Sequence, residues 1–258
     1  MTGRSLDGMI VLVSGAAGGI GRTVVLKVAR AGAVVLACDR PGSSWKALDK
    51  AWLSDEQLSA DEATQPLERI ELDLSSLQGA RAFVDEAARR FGRVDGLVNI
   101  AGYWQTKPFL DITPDQLDEM LDANLKTAFY PAQAVVPLML KQGRGRIVHF
   151  ASTAGEYGSI SPGSHYAAAK GAVIGLTKSM AREVSIHGIL VNAISPGPID
   201  TTALSGGAML DIGVASQRTL LGRLGEPAEV AEVVVFLLSE AASFITGQII
   251  GVNGGSRL

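Results

Sequence analysis

The chain has 258 residues, of which 47% are hydrophobic and 19% charged, with a formal net charge of −3. Such a composition supplies a sizeable buried core and excludes intrinsic disorder. A pI near 5.7 offers no basic surface to nucleic acid or acidic lipid. The longest uncharged stretch, Ala241–Ser256, is too short and too polar to span a bilayer. The N-terminus lacks the basic, apolar and small-residue succession of a signal peptide. Cys38 is the sole cysteine, so no intramolecular disulfide forms. A cytoplasmic protein is expected.

In chain order, short apolar runs alternate with longer helical patterns. Strands are predicted at Met9–Ser14, Ala33–Asp39, Arg69–Asp73, Gly96–Asn99, Arg146–Ser152, Leu190–Ser195 and Gln248–Val252. Helices are predicted at Ile20–Arg30, Leu77–Phe91, Pro114–Lys141, Ser164–Ile186 and Pro227–Glu240. Fully apolar strands joined by helix-length crossovers imply an α/β fold with a parallel sheet covered on both faces. The rhythm runs without a linker, so residues 1–258 are read as a single doubly wound, Rossmann-type domain with a seven-stranded parallel sheet. Two segments break it. Pro41–Glu68 is polar and reads as a short helix with a surface excursion, and 201–222 reads as a mobile substrate lid.

Three groups of residues carry chemistry. Ser14-Gly15-Ala16-Ala17-Gly18-Gly19-Ile20-Gly21 joins the first strand to the first helix. Glycines there permit a tight turn and let a diphosphate approach the unpaired N–H groups of the helix N-terminus. Asp39 ends the second strand, 18 residues past Gly21, where a carboxylate binds ribose hydroxyls and repels a 2′-phosphate. Arg40 follows it and would pair with such a phosphate, so the two residues pull in opposite directions. Tyr166 and Lys170 are four apart and share a helix face, so the ammonium favours an ionised phenol. Ser152 ends the strand before that helix, on the sheet edge where the glycine loop also opens.

With these residues in place the chain resembles the short-chain dehydrogenase/reductases over essentially its whole length. Further landmarks are Asp73-Leu74, Asn99-Ile100-Ala101-Gly102, Asn124, Ser195-Pro196-Gly197 with Thr201, Ile245-Thr246-Gly247 and Val252-Asn253-Gly254-Gly255. The resemblance implies that Tyr166 is the acid and base for the carbonyl oxygen, and that Ser152 holds that oxygen. It implies that Lys170 lowers the phenol pKa and binds the nicotinamide ribose, and that Asn124 anchors a proton-relay water. Asp73 and Leu74 would flank the adenine, with Asn99, Ala101 and Gly102 along the ribose side. Pro196, Gly197, Ile199 and Thr201 would meet the nicotinamide end.

Tyr103, Trp104 and Tyr157 are candidates for the substrate wall, and no metal site is expected, since His149, His165 and His187 lack ligand spacing. The family's usual second asparagine after Asn99 is Ile100, and Ser152 and Tyr166 are 14 apart, which implies one extra residue in the intervening loop. Gly18 stands where many NADP-dependent relatives carry a basic residue, which with Asp39 supports NAD. The C-terminal third is most similar to 3-oxoacyl-carrier-protein reductases, but His187 replaces the arginine that carrier-docking members present.

The expected activity is an NAD-dependent interconversion of a secondary alcohol and a ketone by a homotetramer. Two alternatives stand beside it: an NADP-dependent 3-oxoacyl-thioester reductase, and a non-catalytic dinucleotide-binding regulator on the same fold.

Overall fold

The computed structural model describes residues 5–55, 58, 67–201 and 216–258. Seven parallel strands form one sheet in the order β3-β2-β1-β4-β5-β6-β7. They are β1 (Ile10–Ser14), β2 (Val34–Asp39), β3 (Arg69–Glu71), β4 (Gly96–Asn99), β5 (Gly145–Phe150), β6 (Ile189–Pro196) and β7 (Ile249–Val252). Each coincides with a predicted strand.

Alternation within β1 explains the layers. Val11 and Val13 face a cluster formed with α1 (Gly19–Arg30) through Val24, Val25 and Val28. A helix near the C-terminus, Pro227–Leu238, adds Val230, Val234 and Leu237 to that face. Leu12 points to the opposite face, where Leu36 and Leu97 meet Phe83 and Val84 of the helix Leu77–Phe91. Full burial of a side chain such as Phe83 stabilises the fold by about 1.5–3 kcal/mol.

Numbered in chain order, the helices are α1, α2 (Lys46–Leu53), α3 (Leu77–Phe91), α4 (Pro114–Leu121), α5 (Thr127–Gln142), α6 (Thr153–Tyr157), α7 (Ser164–Val184) and α8 (Pro227–Leu238). Their ends follow from local chemistry. Ser76 caps α3 through the Gly79 N–H at 3.0 Å, and Gly92 closes it at φ 73°. Thr113 and Gln116 form a capping box on α4, with Pro114 in its first turn.

The uninterrupted helix expected over Pro114–Lys141 is instead two helices joined by a π-helical turn, Asp122–Lys126. Asn124 lies in that turn, and its side chain donates to the Met120 carbonyl at 3.1 Å and the Tyr103 carbonyl at 3.0 Å. Thr127 bonds back to the Ala123 carbonyl at 2.7 Å. The wider turn thus has side-chain partners for its backbone. No helix among the described residues is long and apolar enough to cross a membrane. Residues 202–215, most of the segment expected to act as a lid, lie outside the described residues.

Candidate active site

The strand order reverses between β1 and β4, the place where an open parallel sheet forms a crevice beyond its strand ends. A cleft of about 1570 Å³ occupies this edge. Gly15, Gly18, Gly19, Ile20 and Gly21 line it at one side, with Asp39, Arg40, Asp73 and Leu74. Ala101, Gly102, Asn124, Ser152, Tyr166 and Lys170 line its centre, and Pro196, Gly197, Ile199 and Thr201 its far wall.

The glycine loop is shaped by close approach. Gly15 has φ +66°, and a Cβ there would fall 2.7 Å from the Ala101 nitrogen. A Cβ on Gly21 would fall 2.0 Å from the Gly15 carbonyl oxygen. No side chain caps α1 at Gly18, and no acidic residue stands in its first turn. Its N-terminal N–H groups are therefore suited to an anion. This geometry fits a dinucleotide diphosphate.

Asp39 is tied down at three points. One carboxylate oxygen accepts from the Ala17 N–H at 2.9 Å. The other accepts from the Arg40 N–H and the Ser43 hydroxyl, each at 2.8 Å. Asp73 accepts from the Ser75 N–H at 2.9 Å and its hydroxyl at 2.6 Å, which fixes the turn beneath Leu74.

Ser14 and Asn99, expected to touch the cofactor, do not line the cleft; they lie buried beneath it. The Ser14 hydroxyl accepts from the Ile100 and Ala101 N–H groups at 3.1 and 3.3 Å. Asn99 donates to the Ala128 carbonyl at 3.2 Å and reaches His149 Nδ1 at the same distance. Both lie at the strand ends on the β1–β4 pair, and the Ser14 hydroxyl holds the backbone of the cleft floor.

In the centre, Ser152 caps α6, its hydroxyl accepting from the Ala154 N–H at 3.2 Å. A hydrogen bond between Ser152 and Tyr166 draws the phenol pKa down, but burial outweighs it and holds the pKa above its ordinary value. Lys170 is 4% exposed. Its ammonium donates to the Phe150 carbonyl at 2.8 Å and lies 5.9 Å from the centre of the Tyr166 ring. Burial depresses its pKa to about 8. The ionised phenol anticipated from the Tyr–Lys spacing is therefore opposed by desolvation in the cleft.

His149 lies fully buried behind this group, with its pKa lowered by burial and by the Lys170 charge to about 4. Sequence reasoning gave it no part in the site; a lone histidine within an apolar strand carried no signal.

Tyr103 and Trp104 line the cleft, as do Gly158–Ser161 of the loop before Tyr166. Burial and a hydrogen bond to Glu119 push the Tyr103 phenol up to about 12. Tyr157, expected on the same wall, is not on it. The last residue of α6 faces away from the cleft, and its hydroxyl donates to the Leu258 carbonyl at 3.0 Å.

Known proteins resemble this chain over nearly its whole length. The family model described as enoyl-(acyl carrier protein) reductase matches residues 15–257. The chain is 36% identical to 3-oxoacyl-(acyl-carrier-protein) reductase FabG of Thermotoga maritima, covering 97% of this chain and 98% of that protein. It is 37% identical to the 2,3-dihydroxy-2,3-dihydro-p-cumate dehydrogenase of Pseudomonas putida strain F1, over 98% of this chain and 96% of that one. A crystal structure of a short-chain type dehydrogenase/reductase from Mycobacterium marinum matches with a TM-score of 0.86 at 31% identity, covering 98% of this chain and 97% of that one.

Proposed function

Because the chain belongs to the short-chain dehydrogenase/reductase family and is an NAD(P)-dependent oxidoreductase of CH–OH groups, we propose that it interconverts a secondary alcohol and a ketone with NAD. The observation that carries this is the convergence of Ser152, Tyr166 and Lys170 on one cleft with the uncapped glycine loop.

In the oxidative direction the Tyr166 phenolate takes the proton of the alcohol hydroxyl, and in the reductive direction the phenol returns it to the carbonyl oxygen. The nicotinamide, when bound, accepts or supplies the hydride. Ser152 orients the reacting oxygen through its hydroxyl. Lys170, held by the Phe150 carbonyl, supplies positive charge beneath the phenol. Asn124, its side chain donating to the Tyr103 and Met120 carbonyls, lines the same cleft and is assigned the anchoring of a proton-relay water.

Asp39 supports NAD, since its carboxylate occupies the ribose end and repels a 2′-phosphate. A second reading, an NADPH-dependent 3-oxoacyl-thioester reductase, draws support from Arg40 and Lys46 on the same wall and from the Thermotoga relative. The alanine-rich α7 and the long helical stretch Pro114–Lys141 suit self-association as a homotetramer. The protein is proposed to act in the cytoplasm on a small molecule, with no nucleic-acid or membrane partner.

The test is the initial rate of NADH formation across hydroxyacyl thioesters, sugars, alicyclic alcohols and steroids, with Tyr166→Phe as control. Turnover that disappears in the variant supports the reading. Turnover that persists refutes the role given to Tyr166.

A further inference from the structure

We propose that the substrate carries an anionic group, a carboxylate or a phosphate, seated by Arg218 and Arg257 at the β6–β7 end of the cleft. This rests on the oxidoreductase reading above and narrows its substrate.

Both arginines line the same cleft as Ser152 and Tyr166. They come from two segments fastened together. The Leu221 N–H donates to the Gly254 carbonyl at 3.2 Å, and a Cβ on Gly254 would meet Thr219 at 3.3 Å. The tail that carries Arg257 is fixed in turn, with Asn253 Nδ2 donating to the Arg257 carbonyl at 3.2 Å. Asn253 also packs on the nicotinamide-end wall, since a Cβ on Gly197 would fall 2.8 Å from its Cα.

Neither guanidinium pairs with a carboxylate among the described residues. Among the described residues the Arg257 side chain donates to the neighbouring Ser256 carbonyl, at 3.2 Å. Arg223, in the same region, shows what a satisfied arginine is like here, with a two-pronged pair to Glu229 at 2.8 and 2.7 Å. A guanidinium fork matches a carboxylate or phosphate in the same bidentate way.

The strand order locates this pair relative to the chemistry. Ser152 follows β5, two strand spacings from β7, roughly 10 Å. Asp39 ends β2, five spacings from β7, roughly 24 Å, so the arginines stand at the opposite end from the ribose-binding carboxylate. Asp115, Asp118 and Glu119 of α4 also line the cleft, with Glu119 hydrogen-bonded to Tyr103. An anion on the substrate is repelled by that row and drawn to the two arginines, which sets one orientation of the carbonyl over Tyr166. Trp104 and Ile160 supply apolar surface to the same cleft.

The test reads binding without turnover. The protein–NAD complex is titrated calorimetrically with acetoacetate, methyl acetoacetate and acetoacetyl-CoA, for the wild type, Arg218→Ala, Arg257→Ala and the double variant. The proposal expects a charged ligand to bind at least about tenfold more tightly than the methyl ester. Each single variant should erase most of that preference while the NADH dissociation constant stays within about twofold. Preference for acetoacetate identifies a carboxylate on the substrate, and preference confined to the CoA thioester identifies a carrier phosphate. Equal binding of all three ligands overturns the proposal, as does a preference that survives the double variant. A parallel loss of NADH affinity overturns it too, because the arginines then serve the cofactor. Failure of the oxidoreductase reading has a different mark: alcohol turnover untouched by Tyr166→Phe, with the binding preference unchanged.

Discussion

The carboxylate of Asp39 accepts a hydrogen bond from the Ala17 N–H at 2.9 Å, so the end of β2 holds the middle of the glycine loop. One residue thus shapes the glycine turn and lines the end of the cleft where the proposed reading puts the ribose. Asp39→Ala is expected to narrow the ratio of NADH to NADPH affinity, because it removes the charge that repels a 2′-phosphate. It should also weaken both, because the loop loses an anchor. Fluorescence titration with the two cofactors measures both effects, and an unchanged ratio would count against Asp39 as the discriminating group.

Tyr166→Phe is expected to lower turnover at least about a hundredfold while NADH binding is retained. Ser152→Ala carries a distinct signature. Its hydrogen bond draws the Tyr166 pKa down, so its removal moves that pKa up. The rate of alcohol oxidation rises with pH as the phenol ionises, and the variant's rising limb should move to higher pH. A pH–rate profile of kcat/KM for both proteins reads the direction of that move.

His149 links the buried site to acid stability. Its folded pKa is about 4 against an ordinary 6.5, so between those values the unfolded chain binds a proton that the folded chain does not. Stability from this group is complete above 6.5 and is lost as pH falls towards 4, on the order of 3 kcal/mol in all. His149→Gln keeps a polar partner for Asn99 and removes the titration. Melting temperature between pH 4 and 7 should fall less steeply in the variant than in the wild type.

Gly155 brings α6 against α7. A Cβ there would lie 2.6 Å from the Lys170 carbonyl carbon and 2.7 Å from the Gly171 nitrogen. Both are backbone atoms, so neither yields by a side-chain rotation. Gly155→Ala should cost about 1–3 kcal/mol, seen as a lower melting temperature. By separating Ser152 from Lys170 it should also lower kcat more than it weakens NADH binding.

Much of the fold was legible because parallel strands buried on both faces read as continuous apolar runs, and six of the seven lie where Val, Ile and Leu cluster, β3 with Arg69-Ile70-Glu71 being the exception. The convergence of Ser152, Tyr166 and Lys170 followed from strand ends and a four-residue helical spacing. What escaped was local and depended on direction. The π-helical turn leaves no trace in apolar periodicity, since it widens one turn around Asn124 and restores the helical pattern afterwards. Tyr157 is close in sequence to Ser152, but α6 ends there and turns the ring to the C-terminal residue. Ser14 and Asn99 are polar residues at the ends of paired strands, and only the burial of both side chains assigns them to the floor. His149 became informative only once Lys170 was placed beside it.

The two margins of the sheet are chemically unlike. β3 is three residues long, and its flank is laced by ion pairs, Arg69 to Asp49 and Arg90 to Glu68. β7 reads Ile249-Ile250-Gly251-Val252, with no charge along it. A charged, very short margin resists adding a strand from another chain, whereas an uncharged one tolerates it. Growth of the sheet across molecules is therefore directional: it is disfavoured on the side of Asp39 and favoured on the side of Arg218 and Arg257.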